Sequence, residues 1–320
     1  MEPVTAVVIR RIRAHSQEET GDVVAREYPV TLVCRGHSYG SVTEAGAQGP
    51  GGGSGAAGEG PGGGSGAAGE GPGGSRAAGP EWELATLMCT PEHLDELALG
   101  FLYTGGLVSS REEVLAVEVE AGSDAGRELV TLAPRAQARL AAWWAGRRED
   151  WQATRPLGTG CGYAAPVGEG ELPTVGDNLR VTVAEIMDAL SELVRAPVHR
   201  ETGATHAAAL ARRGGIICLR EDVGRHNAVD KIAGWWLARA GAGDGRTGDT
   251  GLLLLTTGRL SSDLVLKASR LGAEVLVSRA APTSLGIRLA HLTGITLVGF
   301  ARAGHLNVYT FPDRVVSESD

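Results

Sequence analysis

Cys161 sits in Leu157-Gly-Thr-Gly-Cys-Gly162, with glycine on both sides of the thiol. Glycine has no side chain to screen its neighbour and reaches backbone angles that other residues avoid. The segment can therefore present a thiol to a bulky partner at small steric cost, and the chemistry this allows is nucleophilic attack by a thiolate. A thiolate at neutral pH needs a nearby cation or helix N-terminus to lower its pKa. Arg155 is the nearest basic residue in sequence. The remaining cysteines, Cys34, Cys89 and Cys218, lie in apolar strand-like runs or just before a helix start and read as small buried hydrophobes. No C-x-x-C pair and no Cys/His cluster at zinc spacing is present.

A second set of reactive side chains falls in four turns of the C-terminal half. Asp222-Val-Gly-Arg-His-Asn227, Thr257-Gly-Arg-Leu-Ser261 and Ala281-Pro-Thr-Ser284 each join a strand to a helix, and Phe300-Ala-Arg-Ala-Gly-His305 joins two strands. Arginines, hydroxyls and helix N-termini gathered at one sheet edge suit a phosphorylated or nucleotide ligand. On that argument His226, Asn227 and Arg259 are pocket candidates. Neither a P-loop nor a G-x-G-x-x-G after a strand occurs. His226 opens a helix after a hairpin, as in the H-x-E half of a zinc deaminase, but position 228 is alanine. The matching P-C-x-x-C would fall near Gly258-Arg-Leu-Ser261, which has no cysteine, so zinc hydrolysis is disfavoured and tightly bound stoichiometric zinc would revive it.

The elements that must position these groups follow from periodicity and punctuation. Glu27 to Val33 reads as a strand with Tyr39 to Val42 as its hairpin mate. From Gly49 the unit Gly-Pro-Gly-Gly-Gly-Ser-Gly-Ala-Ala-Gly-Glu recurs at Gly60 and, shortened, at Gly71. Such an insertion, residues 44–80, has too little to bury to offset the entropy of ordering. Leu84 to Met88 is strand-like, and Thr90-Pro91 predicts a helix start that Gly105-Gly106 ends. Val114 to Val119 and Glu128 to Ala133 pair as strands, and Ala136 to Trp144 is a helix. Thr182 and Glu185 form a capping box ahead of Ile186, Leu190 and Leu193. Thr205 to Ala211, turning at Arg213-Gly-Gly215 into Ile216 to Arg220, reads as a hairpin. Helix Asn227–Ala238, strand Leu252–Thr256, helix Ser262–Leu271, strand Glu274–Ser278, helix Thr283–Leu292 and strands Ile295–Phe300 and Leu306–Phe311 follow. This alternation predicts a largely parallel sheet between helices, with ligands at the carboxyl ends of its strands. The fold class is α/β, with a small N-terminal α+β domain over 1–155, a cysteine-carrying loop over 156–180 and a second domain over 181–320.

Of 320 residues, 42% are hydrophobic, enough for real cores, and the net charge of -8 argues against nucleic acid or an anionic membrane as the main partner. Met1 to Thr20 has no apolar signal-peptide region, and no apolar run approaches the ~20 residues of a membrane span, Leu252 to Leu255 being strand-sized. The expectation is a cytoplasmic protein.

Arg200-Glu-Thr-Gly-Ala-Thr-His-Ala-Ala-Ala209, Arg220-Glu-Asp-Val-Gly-Arg-His-Asn-Ala-Val-Asp-Lys231, Ala281-Pro-Thr-Ser284 and Thr296-Leu-Val-Gly-Phe300 resemble the formate dehydrogenase accessory sulfurtransferases, the FdhD family. The likeness runs from about Glu27 to Pro312 apart from the insertion. It implies a C-terminal domain similar to cytidine deaminase, three-layered and without zinc. It also implies sulfur delivery: a cysteine desulfurase passes a persulfide to the loop cysteine, which matches Cys161. The sulfur then goes to the molybdenum or tungsten bis-guanine-dinucleotide cofactor of formate dehydrogenase. The family's cofactor pocket maps onto Phe300, Ala301, Arg302, Ala303, Gly304 and His305. Many members carry C-x-x-C in the loop, whereas Cys161-Gly-Tyr-Ala164 keeps the first cysteine only. That departure keeps a second reading open, a non-catalytic carrier of the cofactor. A cofactor with two similar halves suits a symmetric homodimer.

Overall fold

The computed structural model describes residues 1–13, 16–36, 79–145, 156–157, 172–213, 215–240 and 251–316. Cys161, Arg155, the proposed strand Tyr39–Val42 and all but the end of the glycine-rich insertion lie outside the described residues.

The chain opens with an antiparallel ribbon of β1 (Val4–Arg13) and β2 (Ser16–Ala25), which the sequence reading did not anticipate. A first sheet follows from β3 (Tyr28–Gly36), β4 (Glu81–Cys89), helix α1 (Leu94–Thr104), β5 (Val114–Ala121), β6 (Gly126–Leu132), helix α2 (Pro134–Ala145) and β7 (Pro156–Leu157). Its order is β5-β6-β3-β4-β7. Inward-facing residues of β3, β4 and β6 pack with Leu97, Phe101 and Leu102 of α1 and Leu140 of α2 in one core.

The rest of the chain, which carries the second sheet and its helices, runs through β8 (Val181–Thr182), α3 (Val183–Leu193), α4 (Pro197–Thr202), β9 (His206–Arg212), β10 (Gly215–Asp222), α5 (Arg225–Ala240), β11 (Leu252–Thr256), α6 (Ser262–Leu271), β12 (Ala273–Ser278), α7 (Ser284–Thr293), β13 (Thr296–Arg302), β14 (His305–Val308) and β15 (Val315–Val316). Six strands run in the order β10-β9-β11-β12-β13-β14, and β15 pairs separately with β8. Strand alternation divides the two faces: Ala208, Leu210, Leu254 and Leu276 pack with α5 and α6, while Ala207, Ala209, Leu255 and Val277 pack with α3. Strands buried on both faces read as continuous apolar runs, as Leu252–Leu255 does.

Two expectations are corrected. The sheet is mixed and not largely parallel: β11, β12 and β13 are parallel and β9 and β10 form the expected hairpin, but β9 is antiparallel to β11 and β14 returns antiparallel to β13. Parallel pairing holds only where a helix intervenes. The helix expected at Thr90-Pro91 begins at Leu94, after His93 in a left-handed conformation. Thr90 is fully buried and committed elsewhere: its N–H donates to Asp222 Oδ2 (3.0 Å) and its Oγ1 accepts from Val223 N–H (3.1 Å). Elsewhere the expected boundaries agree to within about three residues, strand Leu306–Phe311 ending early at Val308, and the Thr182–Glu185 capping box and the Gly272 and Gly294 stops, both at positive φ, are present; α4 was not anticipated. Among the described residues no helix is long and apolar enough to cross a membrane.

Candidate functional site

The four turns singled out in the sequence meet at one end of the second sheet. His206 pairs with Asp222, Thr256 lies between Ala208 and Ser278 in register, and β13 ends at Arg302, so all the connections leave from one edge. The helices α5, α6 and α7 also begin there, directing three N-termini at it.

The loops are laced to one another. Thr257 N–H donates to Ala207 O (3.0 Å), and Ala207 N–H donates to Thr257 Oγ1 (3.1 Å), which stands 3.2 Å from His206 Nδ1. Ser278 Oγ donates to Gly258 O (2.6 Å), Leu260 N–H to Ala281 O (3.1 Å) and Phe300 N–H to Ala280 O (3.1 Å). Gly258 is required because a Cβ there would come within 2.8 Å of Arg225 Cβ. Thr283 caps α7 by accepting from Gly286 N–H (3.1 Å).

The motif Arg220–Lys231 braces this edge against the first sheet. Asp222 Oδ1 accepts from Gly224 N–H (2.8 Å) and Asn227 Nδ2 (2.9 Å), and Oδ2 pairs with Lys231 Nζ (2.6 Å). Lys231 also donates to Thr90 O (3.0 Å) and Glu221 O (3.2 Å), and Asn227 Nδ2 to Met88 O (2.9 Å). Glu221 takes the N–H groups of Val198 and His199 and so caps α4. Arg220 pairs with Glu96 of α1. A second buried pair, Lys267–Asp230 (2.6 Å), is completed by Thr104 Oγ1, which donates to Asp230 at 2.6 Å. Buried charges persist only when paired and hydrogen-bonded, and these are. Asn227, expected in the pocket, is thus a bracing residue. Strand β4 links two regions: β7, which precedes the Cys161 segment, pairs with Thr86 and Leu87, and the same strand ends in the Met88–Thr90 contacts.

The edge is cationic. Arg225 and Arg259 both bear on His206, whose pKa is lowered first by burial and then by Arg225, His199 and Arg259, with Asp222 opposing. His226 is 5% exposed, and burial, Lys267, Arg225 and His206 push its pKa down to about 3. Its Nε2 lies 3.4 Å from Ser261 Oγ, while Nδ1 has no hydrogen-bond partner among the described residues. Both rings are therefore neutral near pH 7. A neutral ring can donate its one N–H to an anion held by the arginines. Arg259 is exposed.

The turn Phe300–His305 is a distorted hairpin tip. The register shifts between Gly299 and Arg302, and Phe300 (φ 52°), Ala303 (φ 51°) and Gly304 (φ 78°) are left-handed. Non-glycine residues in that region cost on the order of 1 kcal/mol each. Arg302, Ala303, Gly304 and His305 are exposed and Phe300 half-buried, but Ala301 points into the α3-side core. Ala301 can offer a ligand backbone only.

Cys34, Cys89 and Cys218 are buried, and burial raises all three thiol pKa values, Cys218 to about 12. These thiols are inert at neutral pH. Sequence reading gave Thr90 to a helix start, named Thr257 only as part of a turn, and assigned no role of its own to His206. The available signal was Asp230, Lys231 and Lys267 at core positions of apolar helix faces, where a charge demands a buried partner.

The description of the FdhD/NarQ family matches residues 80–316. The chain belongs to the FdhD/NarQ family. It is 33% identical over 246 residues to "Sulfur carrier protein FdhD" of Shouchella clausii, covering 74% of this chain and 85% of that protein. The protein of the same name from Bordetella bronchiseptica is 36% identical over 239 residues, covering 73% and 82%. The fold is similar to the crystal structure of a formate dehydrogenase accessory protein from Desulfotalea psychrophila, with a TM-score of 0.63, 23% identity and coverage of 98% of this chain and 100% of that one. Within this FdhD/NarQ chain the family match begins just before β4, so β1, β2 and β3 precede it.

Proposed function

We propose that the protein is a sulfur carrier for formate dehydrogenase maturation, with Cys161 as the carrying thiol. The observation that supports this most is the state of the other cysteines: Cys34, Cys89 and Cys218 are buried with raised pKa values, in a family whose named relatives are sulfur carriers. The Cys161 thiolate attacks the outer sulfur of a persulfide on a cysteine desulfurase. The S–S bond of the donor breaks, its cysteine leaves as a thiolate, and Cys161 holds the new persulfide. In the second transfer an electron pair of the acceptor forms the bond to the outer sulfur as the persulfide S–S bond breaks, so the acceptor is formally oxidised by two electrons and Cys161 leaves as a thiolate.

The acceptor in this reading is the molybdenum or tungsten bis-guanine-dinucleotide cofactor of formate dehydrogenase, a substrate and not a resident group. Its nucleotide ends lie at the cationic edge. Arg225, Arg259 and Arg302 supply charge, His206, His226 and His305 hydrogen bonds, and the exposed backbone of Ala303 and Gly304 a close approach. Residues 181–320 form the deaminase-like cofactor-holding domain, 1–155 the N-terminal domain and 156–180 the carrying loop. Two copies related by a two-fold axis supply the two nucleotide pockets, and the protein works in the cytoplasm. One sequence feature, Ala164 in place of a second loop cysteine, favours the rival reading of a carrier that holds the cofactor without moving sulfur.

The test is formate dehydrogenase activity in cells that have only the Cys161→Ala variant, with guanosine diphosphate binding measured on the purified protein. Lost activity with intact nucleotide binding is expected. Normal activity contradicts the sulfur-carrying role, and unimpaired nucleotide binding after Arg259→Ala with Arg302→Ala contradicts the placement of the pocket.

A further inference from the structure

At the end of the second sheet opposite the candidate site, a half-open cleft of about 240 Å³ lies between α3 and the β9–β10 turn. Its floor is apolar, formed by Leu179, Val181, Ala189, Ala211 and Leu253. Glu185, Asp188 and Glu192 line its rim, because spacings of three and four residues place them on one face of α3, and all three are exposed. Arg212 and Arg213 border the other side. Arg212 shares its strand face with Ala208 and Leu210, and its guanidinium lies 5.2 Å from the Trp236 ring centre on the α5 side of the sheet. Glu185 is engaged by Thr182, whose N–H donates to its carboxylate (2.8 Å), which leaves Arg213 against Asp188 and Glu192, so the cleft is net anionic where the opposite edge is cationic.

The volume falls below the roughly 300–1,000 Å³ of sites for cofactors and drug-sized ligands, and it suits a group of side-chain size. An apolar floor accepts a methylene stem and the carboxylates accept a cation at its end, the division that long basic side chains make between apolar surface and charge. Asp188 and Glu192, one helical turn apart, suit the planar fork of a guanidinium. The neighbouring β10, whose first residue Gly215 borders the cleft, is the outer strand of the sheet and leaves backbone groups for a polypeptide to pair with. We infer that this cleft is a docking site for an arginine side chain of a partner protein, separate from the cationic edge.

The test uses the full-length protein with labelled methyl groups, titrated with a blocked peptide bearing one arginine, the same peptide with citrulline, and agmatine. The arginine peptide shifts the methyl signals of Leu179, Val181 and Leu253, and the citrulline peptide binds at least about fivefold more weakly. Asp188→Asn with Glu192→Gln, both at exposed positions, abolishes that difference. Equal response to the two peptides, no response to the arginine peptide, or agmatine binding more tightly than the peptide overturns the inference. The last outcome assigns the cleft to a free small cation.

Discussion

Gly100 of α1 and Gly234 of α5 each face the other helix's backbone: a Cβ on Gly100 would overlap the carbonyl oxygen of Asp230, and one on Gly234 the carbonyl oxygen of Glu96. The helices of the two sheets therefore touch backbone to backbone. This contact holds Glu96 within reach of Arg220, and Thr104 within reach of Asp230 and Lys267.

Alanine at either glycine has two opposed effects. It favours an isolated helix by about 1 kcal/mol, but overpacking against a rigid neighbour costs about 1–3 kcal/mol or more, and here the neighbour is backbone. With the added Cβ overlapping a backbone oxygen the cost lies at or above the upper end, so Gly100→Ala and Gly234→Ala are each expected to destabilise the protein by about 2 kcal/mol or more net, read as a lower denaturant midpoint. An unchanged or raised midpoint contradicts the close crossing.

Lys231→Met removes the cation from a pair with no exposure and leaves Asp222 to three N–H donors. Breaking a buried pair costs about 3–5 kcal/mol, whereas replacing both partners is far cheaper. Lys231→Met is therefore expected to unfold at much lower denaturant, and Asp222→Asn with Lys231→Met to recover part of the loss. A double variant no better than the single one contradicts the pairing.

Glu128 on β6 is fully buried and both its carboxylate oxygens lack a hydrogen-bond partner among the described residues. Burial, opposed by Lys231 and assisted by Asp95, raises its pKa well above the usual carboxylate range. The folded protein thus keeps a proton that the unfolded chain releases above about pH 4.3. The contribution is fully present below that value and is lost as pH rises toward the folded pKa. Glu128→Gln cannot ionise, so between pH 5 and 8 its stability, followed by chemical denaturation, is expected to fall less with pH than that of the parent. Parallel pH profiles for the two proteins contradict the assignment.

Much of the second sheet was legible because its signals are local. Leu252–Thr256 is an unbroken apolar run, α6 runs from Ser262 to a left-handed Gly272, and Thr182 and Glu185 cap α3 from three residues apart. The misreadings were of longer range. Thr90-Pro91 has the composition of a helix start, but Asp222, Val223 and Lys231, more than a hundred residues on, fix Thr90 outside the helix. The β9–β10 hairpin and the turn into β14 were also legible from their turn residues, but strand direction elsewhere depends on which neighbours pair, so the antiparallel pairing of β9 with β11 was hidden by the alternation around it. In the site, the gathering of the four turns followed from the alternation. What each residue does there did not: Asn227 braces, Ala301 turns inward, and His206 enters through Thr257 across the sheet.

The most direct measurement is the intact mass of the protein after incubation with a cysteine desulfurase and cysteine, beside the Cys161→Ala variant. The proposed function predicts a gain of one sulfur atom on the parent protein, removed by thiol reductant and absent from the variant. No gain with an active desulfurase, or an equal gain on the variant, contradicts Cys161 as the sulfur carrier.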